Sequence, residues 1–192
     1  MNRYTAMTEP IDRTSLADLA ALLREKNALD ARITAITRRP ALIGHLGEYI
    51  ASAIFGIRLH ESATHKGSDG YFTSGGLTDR CVNIKWYAKN ESVLDLHEDA
   101  PPDFYLVLAG PRPSTVSRGG VRPWLIENAY LFDAHVIHSE LTERGTKIGI
   151  AASIRKHQWA AAEIYPTQQN RAFVLNDEQR DLLALFGSDR PG

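Results

Sequence analysis

Asn83 and Lys85 stand two residues apart in the run Val82-Asn83-Ile84-Lys85-Trp86. Apolar and polar residues alternate from Arg80 to Tyr87, the period of a β-strand, so both side chains leave the same face. Asp69 closes the turn Lys66-Gly67-Ser68-Asp69-Gly70 and opens the strand before it. Hairpin pairing of the two strands would set a carboxylate, an amide oxygen and an ammonium side by side. That set suits metal-assisted phosphodiester hydrolysis. Mg²⁺ takes oxygen ligands and keeps several waters. It lowers the pKa of a bound water and neutralises charge that builds on phosphate. A lysine beside it can hold the attacking water or stabilise that charge. Plain structural readings stand next to these. Asp-Gly is a common turn pair, and Lys85 could be a solvated strand residue. A lysine between Ile84 and Trp86 on a central strand would need a partner.

The elements that must position these residues follow from patterning. A helix is expected from about Leu16 to Thr37, with Leu19, Leu22, Leu29, Ile33 and Ile36 forming one stripe that Lys26 interrupts. Ser15 with Asp18 has capping-box spacing, and Arg38-Arg39-Pro40 ends the helix. Residues 1–13 read as a polar arm. A second helix covers about Leu42 to Phe55 and stops at Gly56. Strands follow at Ile57–Glu61, Gly70–Thr73 and Arg80–Tyr87. Asp103–Ala109 is an apolar run of strand length, the pattern of a central strand covered on both faces. Gly110–Pro123, rich in Gly, Pro and Ser, is a loop. Then come a strand at Trp124–Phe132, a helix at Ala134–Arg144 capped by Asp133, a short buried strand at Lys147–Ala151 and a helix at His157–Glu163. A last helix opens with Asn176 and Gln179 as a capping box. The order predicts an N-terminal arm and helix over 1–40 and one α/β domain over 41–192, with a central mixed β-sheet flanked by helices.

Asp69, then the x-Lys strand ending at Lys85, with a helical glutamate upstream, resembles the PD-(D/E)xK nuclease superfamily, the restriction endonuclease-like fold. Glu48, in Gly44-His45-Leu46-Gly47-Glu48-Tyr49, resembles the helix glutamate that several members add to the metal site. The resemblance spans about residues 42–110. It implies Asp69 and Glu48 as metal ligands, Lys85 as the catalytic lysine and Mg²⁺ as cofactor, with Mn²⁺ able to take its place. Ser68 stands where the family usually has proline, and Asn83 where it has Asp or Glu. A neutral amide is a weaker ligand for a hard cation, so Asn83 supplies the third, weaker oxygen. The resemblance therefore implies a phosphodiester hydrolase acting on DNA, or a nuclease-fold module that has lost activity and binds nucleic acid or a protein partner. The strings VNIKWYAK and PDFYLVLAGP also resemble segments of bacterial proteins without an assigned activity.

Composition sets outer bounds. The chain has 192 residues, 43% hydrophobic and 23% charged, the mix of a globular domain. A net charge of -1 excludes a general electrostatic sponge for nucleic acid but leaves room for a local basic cleft. Arg38, Arg39, Arg112, Arg118, Arg122, Arg155 and Lys156 flank loops and are candidate phosphate contacts. One cysteine, Cys81, excludes an internal disulfide and fits a cytoplasmic location. No run approaches a membrane-spanning length, and the first residues lack the apolar core of a signal peptide. A homodimer is attractive because cutting two strands needs two sites. Weaker candidates are His135 with His138 as half a metal site, and Ser153 with His157 as nucleophile and base, without a glycine-flanked elbow.

Overall fold

The computed structural model describes residues 13–61, 67–112 and 122–188, and the chain divides into two compact units between Leu42 and Ile43. The first unit holds one helix, α1 (Arg13–Thr37). Nothing between these bounds is Gly or Pro, and Ala, Leu, Arg, Lys and Glu dominate, so propensity favours helix throughout. The chain is already helical at Arg13, which puts Ser15 inside the first turn rather than at its cap. At the other end Arg38 takes a positive φ of 55°. The Thr37 hydroxyl bonds the carbonyls of Ile33 and Arg39 and closes the helix.

The second unit opens with α2 (Ile43–Phe55), which buries Ile50, Ala51, Ile54 and Phe55. β1 (Ile57–Leu59), β2 (Gly70–Phe72) and β3 (Cys81–Tyr87) follow. After β4 (Val93–Leu94) come β5 (Phe104–Ala109), β6 (Asn128–Asp133), α3 (Ala134–Glu143), β7 (Ala152–Ser153), α4 (Lys156–Ala162), β8 (Glu163–Tyr165) and α5 (Asp177–Ala184). Six strands form one mixed sheet in the order β1-β2-β3-β5-β6-β8. Among the described residues β3 and β5 are the one parallel pair of this sheet; the other neighbours are antiparallel. β4 and β7 pair separately as a two-stranded ribbon. The fold is therefore α/β, with a mixed sheet flanked by helices and a helix ahead of it.

β5 is buried along its whole length, because its side chains feed two cores in turn. Phe104, Leu106 and Leu108 join Val82, Ile84 and Trp86 in the cluster that also holds the buried face of α2. Tyr105, Val107 and Ala109 join Ile137, Leu141 and Trp159 on the other side. The parallel register sets Asn83 beside Tyr105 and Lys85 beside Val107, so these two polar residues of β3 belong to the face opposite α2.

Two sequence expectations fail in this half, and two strands have no counterpart in the sequence pattern. The strand expected from Trp124 begins only at Asn128. Pro123 has no N–H to give, Ile126 N donates to Phe186 O and Leu125 O accepts the Trp86 indole N–H, so residues 123–126 are taken up by other partners. Lys147–Ala151 forms no strand; Ala151 sits at φ 57° and Ile150 is 92% exposed. The strand falls one residue beyond it, at β7. The two residues of β4 and the three of β8 are too short to show a period. The two expected caps are present: Asp133 accepts from Val136 N at 3.0 Å, and Asn176 and Gln179 make both bonds of a capping box.

Candidate functional site

Asp69 is fixed by its backbone before its side chain does anything. Its N–H donates to Val82 O and its carbonyl accepts from His60 N, each at 2.9 Å, which ties β1, β2 and β3 together at this point. Gly67, at φ 86°, makes the turn that delivers it. Gly70 follows where a Cβ would stand 2.3 Å from Arg58 O, so only glycine lets β1 approach this closely. The Asp69 carboxylate then reaches β3 and accepts Ile84 N through Oδ2 at 2.6 Å. Ile84 lies between Asn83 and Lys85, so the carboxylate rests against the peptide that joins the two candidate side chains.

Asn83 is 4% exposed, and its Oδ1 is buried with no hydrogen-bond partner among the described residues. A buried acceptor without a donor costs free energy, on the order of 1–3 kcal/mol, and is the kind of group a cation would satisfy. Lys85 is half-buried and makes no hydrogen bond or ion pair among the described residues. Farther along the same face, the Tyr87 hydroxyl accepts Asp95 N at 2.9 Å and the Tyr105 hydroxyl accepts His97 N at 3.0 Å. These two bonds hold the segment after β4 over the sheet. Burial is the main cause that raises the Tyr87 and Tyr105 hydroxyls above the ordinary tyrosine range, so both serve as neutral hydrogen-bonding groups.

Glu48 comes from the other side. It rides on α2, half-buried and engaged in an interaction of its own. Its neighbour Gly47 lies so close to Trp86 that a Cβ there would stand 2.9 Å from the Trp86 Cβ. The helix therefore meets β3 one residue past Lys85, on the face opposite Lys85 and Asn83. Asp69, Asn83 and Lys85 are gathered at the β2–β3 junction, whereas Glu48 belongs to the helical layer behind it.

The junction also holds His60, which no motif in the sequence singles out. Its Nε2 is 2.8 Å from Ser68 Oγ, directly before Asp69. His60 sits at the end of β1, eight residues upstream of Ser68, so pairing of β1 with β2 is what brings it here.

The basic candidates separate into groups. Arg112 and Arg122 are exposed and lie beyond the C-terminal ends of β3 and β5. Lys89, absent from the sequence-derived set, is there too, paired with Glu91 at 2.6 Å. The hydrogen bond and charge of Lys89, with a smaller contribution from Arg122, hold the Glu91 carboxyl below its ordinary range. Arg155 is exposed and follows Ile154, whose N–H donates to Ser92 O, which brings the start of α4 near the same end. Lys156 is exposed beside it. Arg38 and Arg39 belong to the first unit, and Arg118 lies outside the described residues.

The weaker histidine pairs resolve differently. His138 Nε2 is 3.3 Å from the Tyr105 hydroxyl, and the rings stack within 2° of parallel. Burial first, then nearby His135 and His97, lower its pKa below the usual histidine value. Ser153 and His157 are both exposed and share no hydrogen bond. Among the described residues no group of three or more His, Cys, Asp or Glu is arranged to hold a metal ion, so any cation here would rely on the amide oxygen of Asn83 as well as on the Asp69 carboxylate. No helix among them is long and apolar enough to cross a membrane. No protein-family model matches the chain, and no match is found among curated proteins.

Proposed function

We propose that the chain is a Mg²⁺-dependent phosphodiester hydrolase acting on DNA, with Mn²⁺ able to replace Mg²⁺, and that its second unit is restriction endonuclease-like. The observation that carries this reading is the buried Oδ1 of Asn83, next in the chain to the Ile84 peptide that pins the Asp69 carboxylate, together with Lys85; neither Oδ1 nor Lys85 has a partner among the described residues. Asp69 and Asn83 would hold the cation; Glu48, carried on α2 against the opposite face of β3, is left out of this ligand set. The ion, when bound, supplies a nucleophilic water at neutral pH and neutralises charge on the phosphate. Lys85 positions that water or takes up charge on the phosphate oxygens. Ile84 N keeps one Asp69 oxygen turned to the backbone, which leaves Oδ1 for the site. Arg112, Arg122, Arg155 and Lys156 would follow the phosphate backbone beyond the strand ends.

One observation favours a second reading, an inactive module that binds nucleic acid or a protein partner. Asn83 puts a neutral oxygen where the resemblance leads one to expect a carboxylate. Cleavage of supercoiled plasmid with Mg²⁺, Mn²⁺ or EDTA separates the two. The hydrolase reading expects nicking that needs the cation and falls by about 10²–10³-fold in Lys85→Ala. Absent cleavage under all three conditions, with DNA binding intact, supports the module; cleavage that persists in EDTA overturns the cation-dependent mechanism.

A further inference from the structure

α1 spaces its apolar residues as a coiled-coil seam. Leu19, Leu22, Lys26, Leu29, Ile33 and Ile36 alternate steps of three and four, so Leu19, Lys26 and Ile33 fall at a and Leu22, Leu29 and Ile36 at d. The helix is about 37 Å long at 1.5 Å per residue. None of its residues is buried, and Leu22 and Ile36 are 61% and 67% exposed. Residues 13–42 contain no other helix or strand that could cover the stripe. A seam of this kind needs a partner helix.

The flanking charges say which partner and in which direction. Glu25 and Arg32 fall at g, and Asp30 at e. A parallel pair in register would set Lys26 against its own copy and Glu25 across from Asp30, both repulsive. An antiparallel pair centred between Lys26 and Leu29 removes both conflicts. Leu19 then layers with Ile36 of the partner subunit, Leu22 with Ile33 of the partner subunit, and Lys26 with Leu29 of the partner subunit. Glu25 faces Arg32 of the partner subunit, and symmetry gives that ion pair twice. Lys26 keeps its bond to Asp30, 2.5 Å away on its own helix, so its charge stays compensated at the rim.

We propose that α1 is a self-association helix, pairing antiparallel with α1 of a second copy to make a homodimer. This rests on the seam and its charges alone and is independent of the hydrolase reading. Sedimentation equilibrium of the full chain tests it. The wild type should be a dimer, and Leu22→Glu with Leu29→Glu a monomer whose second unit keeps its near-UV circular dichroism. Lys26→Leu should tighten the dimer about tenfold, since a lysine at an a position costs stability. Glu25→Arg and Arg32→Glu should each weaken it, and the two together should restore the wild-type dissociation constant. A monomeric wild type at about 100 μM, where even a weak specific dimer would be populated, overturns the proposal. So does a Leu22→Glu, Leu29→Glu chain that stays dimeric. Tightening by Glu25→Arg alone, the result a parallel pair gives, overturns the antiparallel arrangement.

Discussion

Oδ2 of Asp69 accepts the peptide N–H of Ile84 at 2.6 Å. The β2–β3 register pairs Gly70 with Val82 and Tyr71 with Cys81, so Ile84 lies past the end of β2, and the carboxylate supplies the acceptor there. The same side chain thus closes the sheet through one oxygen, and in the proposed hydrolase its second oxygen would hold the cation. Substitutions at Asp69 separate the two duties. Asp69→Ala leaves the Ile84 N–H without its acceptor and should cost about 1–3 kcal/mol. Asp69→Asn keeps an oxygen in place and should cost less than Asp69→Ala, about 1 kcal/mol, the difference between charged and neutral hydrogen bonds. Both should abolish cation-dependent nicking. Denaturant melts of the two variants beside the plasmid assay decide it, and an Asp69→Asn protein that cleaves at the wild-type rate would reduce the residue to its structural duty.

Arg112 and Arg122 border residues 113–121, beyond the ends of β3 and β5. If they contact phosphate, replacing both with alanine should weaken binding of duplex DNA alike for every sequence. The slope of log affinity against log salt should flatten by about 0.9 for each phosphate no longer neutralised. Fluorescence anisotropy at several salt concentrations measures both quantities. An unchanged slope would return these arginines to ordinary surface duty, since net charge alone gives no reason for DNA binding.

Much of the fold is legible in the sequence because its signals are local. The alternation in Cys81–Tyr87, the apolar run at Phe104–Ala109, the stripe of α2 and the caps at Asp133 and Asn176 each depend on a handful of neighbouring residues. The same strand alternation, with the turn ending at Asp69, puts Asp69, Asn83 and Lys85 in one place. What escapes such reading depends on distant pairing. β4 exists because Val93 meets Ser153, and β8 because Glu163 and Tyr165 meet β6. His60 reaches Ser68 only through the β1–β2 ladder, and Lys89 joins the basic group only through the ends of the parallel pair. At Lys147–Ala151 the alternation misleads: Asp95 Oδ1 accepts Ala151 N at 2.8 Å, and the backbone turns there with Ile150 in solvent. Nor does alternation tell which face of the sheet a helix will cover, which is why sequence order groups Glu48 with residues that belong to the opposite side.

His138 provides a test of pH dependence. Burial, followed by His135 and His97, lowers its folded pKa, so the unfolded chain binds that proton more readily. The contribution to stability is complete above the unfolded histidine value, about 6.5. It is lost as pH falls through that value toward the lower folded one. The midpoint of urea unfolding should therefore decline between about pH 7 and 5. His138→Gln keeps a group able to bond the Tyr105 hydroxyl but cannot titrate, and it should flatten this part of the curve. Identical pH profiles for the two proteins would show that other groups govern acid sensitivity.

Asn83→Asp changes one atom and separates a cation site from an ordinary core amide. The side chain is 4% exposed and its Oδ1 has no donor among the described residues. Without a cation, the substitution puts a second carboxylate into a buried position near Asp69, where desolvation and like charge oppose ionisation. The variant should lose about 1–3 kcal/mol in EDTA, with the loss greatest at high pH, where the unfolded chain ionises freely. If Asp69 and residue 83 together hold a divalent ion, adding Mn²⁺ should restore the melting temperature. It should raise that of the variant more than that of the wild type, because the ion binds only the folded form. Calorimetric titration should then give tighter Mg²⁺ and Mn²⁺ binding to the variant, and nicking should increase or appear. Lys85→Ala in the same background should keep the tighter binding and lose the nicking, since lysine serves the chemistry and not the ion. A variant destabilised equally with and without cation, and binding none, would make Asn83 a buried amide with an unmet bond and remove the metal from the proposed site.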